Sequence, residues 1–154
     1  MERRAFLKIA GGVAVGLGLT GIVTVKPARA TPAEMQEAIR AVVGSARITP
    51  GKVKLELPPL IENGNAVPLT VTVDSPMTEA EHVRVVHVFT EKNPQPYVVS
   101  FHLGPRAGRA RVSTRMRLAD SQNVVAVCQL SDGSLWSDSA AVVVTLAACL
   151  EDGI

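Results

Sequence analysis

The chain has 154 residues, with 16 Lys+Arg against 14 Asp+Glu and two cysteines. That length suits a single domain with a sizeable core. A hydrophobic content of 47% excludes a disordered chain. Two cysteines exclude a disulfide-dense scaffold and a four-cysteine zinc site. Aromatic residues make up 3%, too few for a platform that stacks nucleic-acid bases.

Residues 1–30 read as an export address. Arg3 and Arg4 stand together before Phe6, Leu7 and Lys8, a pattern similar to a twin-arginine signal. The apolar stretch Ile9–Val25 has 17 residues and five glycines, short of the ~20 apolar residues a membrane span needs. Ala28-Arg29-Ala30 supplies a small-x-small cleavage site. The expectation is a signal over 1–30, cleavage after Ala30, a periplasmic location, and membrane contact only during export. Cleavage removes five basic residues (Arg3, Arg4, Lys8, Lys26, Arg29) and Glu2, leaving 11 basic and 13 acidic side chains, a net of −2. A general nucleic-acid or anionic-lipid binder is therefore not indicated.

The mature chain, 31–154, opens on Thr31-Pro32-Ala33-Glu34. Thr at the N-cap, Pro at the first position and Glu at the third form a capping box. Met35, Ala38, Ile39 and Val42 follow helical spacing up to Gly44, predicting one helix over about 32–43 with a single apolar stripe. The period then drops to two. Val53–Leu57, Val67–Val73, His82–Thr90, Tyr97–Leu103, Ala110–Leu118, Val124–Leu130 and Trp136–Leu146 read as strands, punctuated by Pro58-Pro59, Asn63-Gly64-Asn65, Ser75-Pro76, Asn93-Pro94, Gly104-Pro105 and Asp132-Gly133. The fold class predicted is all-β: an immunoglobulin-like sandwich of about seven strands with one short N-terminal helix.

The sequence carries no phosphate loop, G-x-S-x-G, H-E-x-x-H or CxxC motif, so it does not read as an enzyme, and no cofactor is indicated. His82 and His87 have opposite parity on one strand, which predicts opposite faces, while a meeting of two histidines across strands stays open. Arg109, Arg111, Arg115 and Arg117 alternate with apolar residues, interrupted only by Ser113. They form either a solvated strand face that discourages edge pairing or a docking stripe for an acidic partner or anion.

The two cysteines differ. Cys128 lies mid-strand among Val124, Ala126 and Leu130 and reads as core filler. Cys149 lies past the last strand, in a tail of about 147–154, with Glu151 and Asp152 beside it. A two-residue turn at Asp132-Gly133 sets Cys128 opposite Ser137, 12 residues before Cys149. That is ~40 Å of straight strand, against the ~7 Å a disulfide allows, so pairing is not expected and only a bend near Asp138-Ser139 leaves it open.

The chain resembles the SoxY family. The likeness rests on the paired arginines and helix, Pro50-Gly51-Lys52-Val53-Lys54-Leu55, Glu62-Asn63-Gly64-Asn65-Ala66-Val67-Pro68, Asp74-Ser75-Pro76-Met77, His87-Val88-Phe89, Asn93-Pro94, Arg115-Met116-Arg117-Leu118-Ala119 and Ser131-Asp132-Gly133-Ser134-Leu135-Trp136. It implies a periplasmic sulfur carrier of thiosulfate oxidation, paired with a SoxZ-like immunoglobulin-fold subunit and visited by the Sox enzymes. It also implies covalent attachment of thiosulfate-derived sulfur to Cys149. The family tail is Gly-Gly-Cys-Gly-Gly, and here Ala147-Ala148 and Leu150-Glu151 flank the cysteine instead. Glycine lets a tail thread a narrow channel, and the replacements restrict that freedom. Two functions are therefore open: a sulfur carrier, or a SoxY-like binding or assembly module that has lost carriage. A metal-binding immunoglobulin-like protein stands a distant third.

Overall fold

Helix α1 spans Pro32–Val43 and starts at the capping box. Thr31 N donates to Glu34 Oε2 at 2.7 Å, and Glu34 N donates to Thr31 Oγ1 at 3.3 Å. The structure, a computed structural model, describes residues 29–147. The expected export signal, apart from its last two residues, lies outside them, as do Cys149 and the rest of the tail from residue 148. No helix among the described residues is long and apolar enough to cross a membrane.

Nine strands follow: β1 Ile48–Pro50, β2 Val53–Glu56, β3 Leu60–Asn63, β4 Val67–Val73, β5 Val83–Thr90, β6 Tyr97–His102, β7 Arg111–Met116, β8 Gln122–Leu130 and β9 Leu135–Leu146. The all-β sandwich expected from the sequence is present. One sheet runs β1-β9-β8-β5-β6, with β3 also on β9, and the other runs β2-β4-β7. Seven strands coincide with the alternating segments. The short β1 and β3 were not expected, and each pairs parallel with β9, at Ile48↔Leu135 and Leu60↔Val143.

The chain changes sheet twice between them. After β1 it drops to the small sheet through Gly51 (φ 117) and Lys52 (φ 54). A positive φ at Gly51 is cheap because no Cβ is present. Pro58-Pro59 returns the chain to β9, where Val143 N donates to Pro59 O at 2.9 Å.

Alternation places Val67, Leu69, Val71 and Val73 of β4 against Val83, Val86 and Val88 of β5, and this forms the core between the sheets. β5 is buried on its other face as well. There Phe89, with Val127 and Leu135, receives Met35 and Ile39 of α1. The helix stripe is slightly rotated from the one expected. Val43 packs against this second core, while Val42 is 38% exposed.

One polar tie crosses the sandwich. Leu55 N on β2 donates to Asp138 Oδ2 on β9 at 2.8 Å. Asp138→Ala leaves that partly buried donor without a partner, which costs about 1–3 kcal/mol. Urea unfolding should show this loss, with Asp138→Asn recovering most of it. A change within a few tenths of a kcal/mol for the alanine variant would remove the tie from the account.

Candidate functional site

The two long motifs lie at opposite ends of β9. At its start, Ser131-Asp132-Gly133 turns the chain from β8, with Gly133 at φ 84. Asp132 Oδ1 accepts from Ser134 N at 2.8 Å and from Ser134 Oγ at 2.6 Å, and Ser134 Oγ accepts from Trp136 Nε1 at 3.1 Å. Bonds from the Ser134 side chain and backbone hold the Asp132 carboxyl below its ordinary pKa. The turn holds three residues rather than two, so Cys128 pairs with Trp136 and not with Ser137 as expected.

At the far end of β9, Leu146 pairs with Asn63. Thr145 Oγ1 donates to Glu62 O at 3.2 Å, Asn63 Oδ1 accepts from Asn65 N at 2.9 Å, and Gly64 O accepts from Leu118 N at 2.8 Å. Strand β9 therefore ends beside the Glu62-Asn63-Gly64-Asn65 motif. Asn93 braces the same end. Its Nδ2 donates to Arg117 O at 2.8 Å, and its Oδ1 accepts from Ala119 N and Gln122 Nε2, each at 3.0 Å. The Asn93-Pro94 and Arg117-Leu118-Ala119 motifs are thus one hydrogen-bonded unit. Each motif had been legible alone, and only the fold joins them.

Cys128 has no exposed surface and sits in the core between the sheets. Burial pushes its thiol up to about 11, opposed weakly by a backbone hydrogen bond from Trp136 and by Lys52. A thiolate at this site is disfavoured, so Cys128 is structural.

Arg109, Arg111, Arg115 and Arg117 are all exposed, with Ala110 and Met116 buried between them and Leu118 buried after Arg117. β7 is an edge strand of the small sheet, and Arg109 and Arg117 flank it. Among the described residues, none of the four forms an ion pair within 4 Å. The Arg117 end of the stripe lies beside Asn93, and the Arg111 end lies opposite Thr72 at the other end of the sandwich.

The histidines depart from expectation. A bulge between Val83 and Val85 changes the parity of β5, and His82 shares a shallow pocket with Arg84, Val85 and His102. His82 and His87 are therefore not on opposite faces, because Val85 and His87 share the outer one. His87 Nδ1 lies 3.2 Å from the Tyr97 hydroxyl, and burial first, then the nearby His102, lowers its pKa. Among the described residues, no group of three His, Cys, Asp or Glu is placed to hold a metal.

The family model for sulfur oxidation protein SoxY matches residues 39–149, so the matched region ends on Cys149. The solved structure of the sulfur carrier protein SoxY from Chlorobium limicola f thiosulfatophilum is 34% identical. That match covers 74% of this chain and 98% of the Chlorobium chain, with a TM-score of 0.62. The chain belongs to the SoxY family. Superoxide reductases share the fold alone. The neelaredoxin of Ignicoccus hospitalis has a TM-score of 0.55 at 17% identity, over 61% of this chain and 80% of its own. A putative superoxide reductase of Thermotoga maritima has a TM-score of 0.52 at 22% identity, over 64% and 87%. No curated protein matches the chain. The turn before β9 and the Asn63–Asn65 turn are two of the segments that carry the family resemblance.

Proposed function

We propose that this SoxY-family chain is a non-catalytic carrier of sulfur oxidation in the periplasm, holding thiosulfate-derived sulfur covalently on Cys149. The observation that carries the reading is the family match running through to Cys149 in a chain whose other thiol is sealed in the core. Joining thiosulfate to a thiol forms one S–S bond and releases one proton and two electrons. The electrons pass to a redox enzyme of the system, and this chain contributes the sulfur atom. Export through the paired arginines and association with a SoxZ-like immunoglobulin-fold subunit belong to the same proposal. So does use of the Arg109, Arg111, Arg115 and Arg117 stripe to dock an acidic partner enzyme. The unpaired arginines and the open edge of β7 support that last element.

The test is intact mass of the protein purified from thiosulfate-grown cells. Adducts of sulfur, thiosulfate or sulfonate mass are expected on the native chain and absent from Cys149→Ser. Adducts that persist in Cys149→Ser overturn the assignment. A native chain that stays unmodified under the same growth favours the assembly-module reading, which the Ala147-Ala148 and Leu150-Glu151 replacements independently support.

A further inference from the structure

Between β6 and β7 lies a groove of about 480 Å³. Residues 97–99 line it from β6, and residues 114–117 line it from β7. Successive side chains of a strand point to opposite faces, so a wall of consecutive residues is the edge of the strand itself. Among the described residues, β6 pairs with β5 alone and β7 with β4 alone, so both edges are open.

Pro68 fixes which backbone groups β7 presents. It pairs with Arg115 and has no N–H to donate. An antiparallel pair that exchanges hydrogen bonds needs an N–H from each residue, so Pro68 and Arg115 form a pair of the other kind. The ladder to β4 runs instead through the flanking pairs, Leu69 with Thr114 and Val67 with Met116. The N–H and C=O of Arg115 therefore point away from β4, to the side where β7 has no partner. Arg117, two residues on, shows the same direction. Its carbonyl accepts from Nδ2 of Asn93, another residue of the groove, at 2.8 Å.

The side chains define what fits this edge. Arg115 and Arg117 are exposed, while Met116 between them is buried and Val98 across the groove packs against the core. Among the described residues, no Asp or Glu lines the groove, and neither arginine has a carboxylate within 4 Å. A strand laid along β7 turns every second side chain towards the guanidinium groups and the intervening ones towards Met116 and Val98. Its complement is an extended segment that alternates acidic and apolar residues.

We infer that the edge of β7 at Arg115 accepts an added strand from a partner protein, with acidic residues opposite Arg115 and Arg117 and an apolar residue opposite Met116. The inference rests on the docking role given above to the arginine stripe, and it gives that docking a form: main-chain pairing supplies the affinity and the arginines select the sequence. The same charges that keep a basic edge away admit an acidic one.

The probe is the blocked peptide Val-Glu-Val-Glu-Val-Glu, added at low salt to the nitrogen-15-labelled protein. The amide resonances of Val98, Arg115 and Met116 should shift saturably, and exchange of the Arg115 amide should slow. Arg115→Glu with Arg117→Glu should weaken binding about tenfold or more. The matching Val-Lys peptide should bind that reversed protein and not the unaltered one. The Val-Glu peptide with its backbone nitrogens methylated keeps every charge but cannot pair as a strand, and it should not bind. Equal binding of the methylated peptide leaves docking by charge and overturns strand addition. Absence of a saturable shift, or shifts away from β7, also overturns it. Shifts of the same amides on concentrating the protein alone make a second copy of this chain the occupant and overturn the partner. None of these outcomes bears on carriage, which the intact-mass test decides.

Discussion

In the native protein, Cys149 should react with iodoacetamide at least about a hundredfold faster than Cys128 at about pH 8. The Cys128 thiol, raised to about 11 by burial, is only about one part in a thousand thiolate there, whereas a thiol at the ordinary value of 9.0 is about a tenth ionised. Burial widens the gap, because reagent reaches Cys128 only through opening of the core between the sheets. Denaturant should bring Cys128 up to the rate of an ordinary thiol. The same burial predicts a pH dependence of stability. The unfolded thiol ionises near its ordinary value of 9.0, while the folded one stays protonated to about 11. The stabilisation is therefore complete below about pH 9 and is lost as pH rises towards 11, by about 2–3 kcal/mol. Comparing urea unfolding of the native chain and Cys128→Ala across that range isolates this contribution from other titrating groups. Equal slopes, or faster native labelling of Cys128 than of Cys149, would remove Cys128 from the core and Cys149 from its role.

Phe89→Ala should cost about 3–5 kcal/mol, with a fall in Tm of roughly 10–20 °C. Phe89 is fully buried on the outer face of β5, among Met35, Ile39, Val127 and Leu135. Its ring centroid also lies 5.3 Å from that of Tyr97. Removing the ring takes away the floor on which α1 rests, and the gap is too far from solvent to collapse fully. The helix should fray first, seen as early loss of hydrogen-exchange protection in Pro32–Val43. A loss below about 1 kcal/mol would mean that α1 contributes little to the fold.

Much of this fold was legible in the sequence because its signals are local. The capping box at Thr31 and Glu34 satisfies helix ends whatever the rest of the chain does. Strict alternation in Val67–Val73 requires one face towards a core, and the structure buries Val67, Leu69, Val71 and Val73. The mid-strand setting of Cys128 and the exposed stripe of Arg109, Arg111, Arg115 and Arg117 also followed from parity alone. The SoxY family was legible as well, through the resemblance of short motifs spread along the chain.

Other features depended on partners distant in the chain. Ile48–Pro50 and Leu60–Asn63 are too short to alternate, and they become strands only because β9 is long enough to accept two parallel neighbours in succession. The bulge beside Arg84 reversed the parity that placed His82 and His87 on opposite faces, and nothing in the valine-rich run marks it. One extra residue in the turn at Asp132 moved the partner of Cys128 from Ser137 to Trp136. Strands β6 and β7 stay unpaired with each other, each an edge of a different sheet. Sequence by itself determined which residues favour helix, strand, turn and interior, because those preferences act within a few residues. Only the tertiary structure decided which strands become neighbours and which edges stay open, because pairing is settled by burial of the whole sandwich at once.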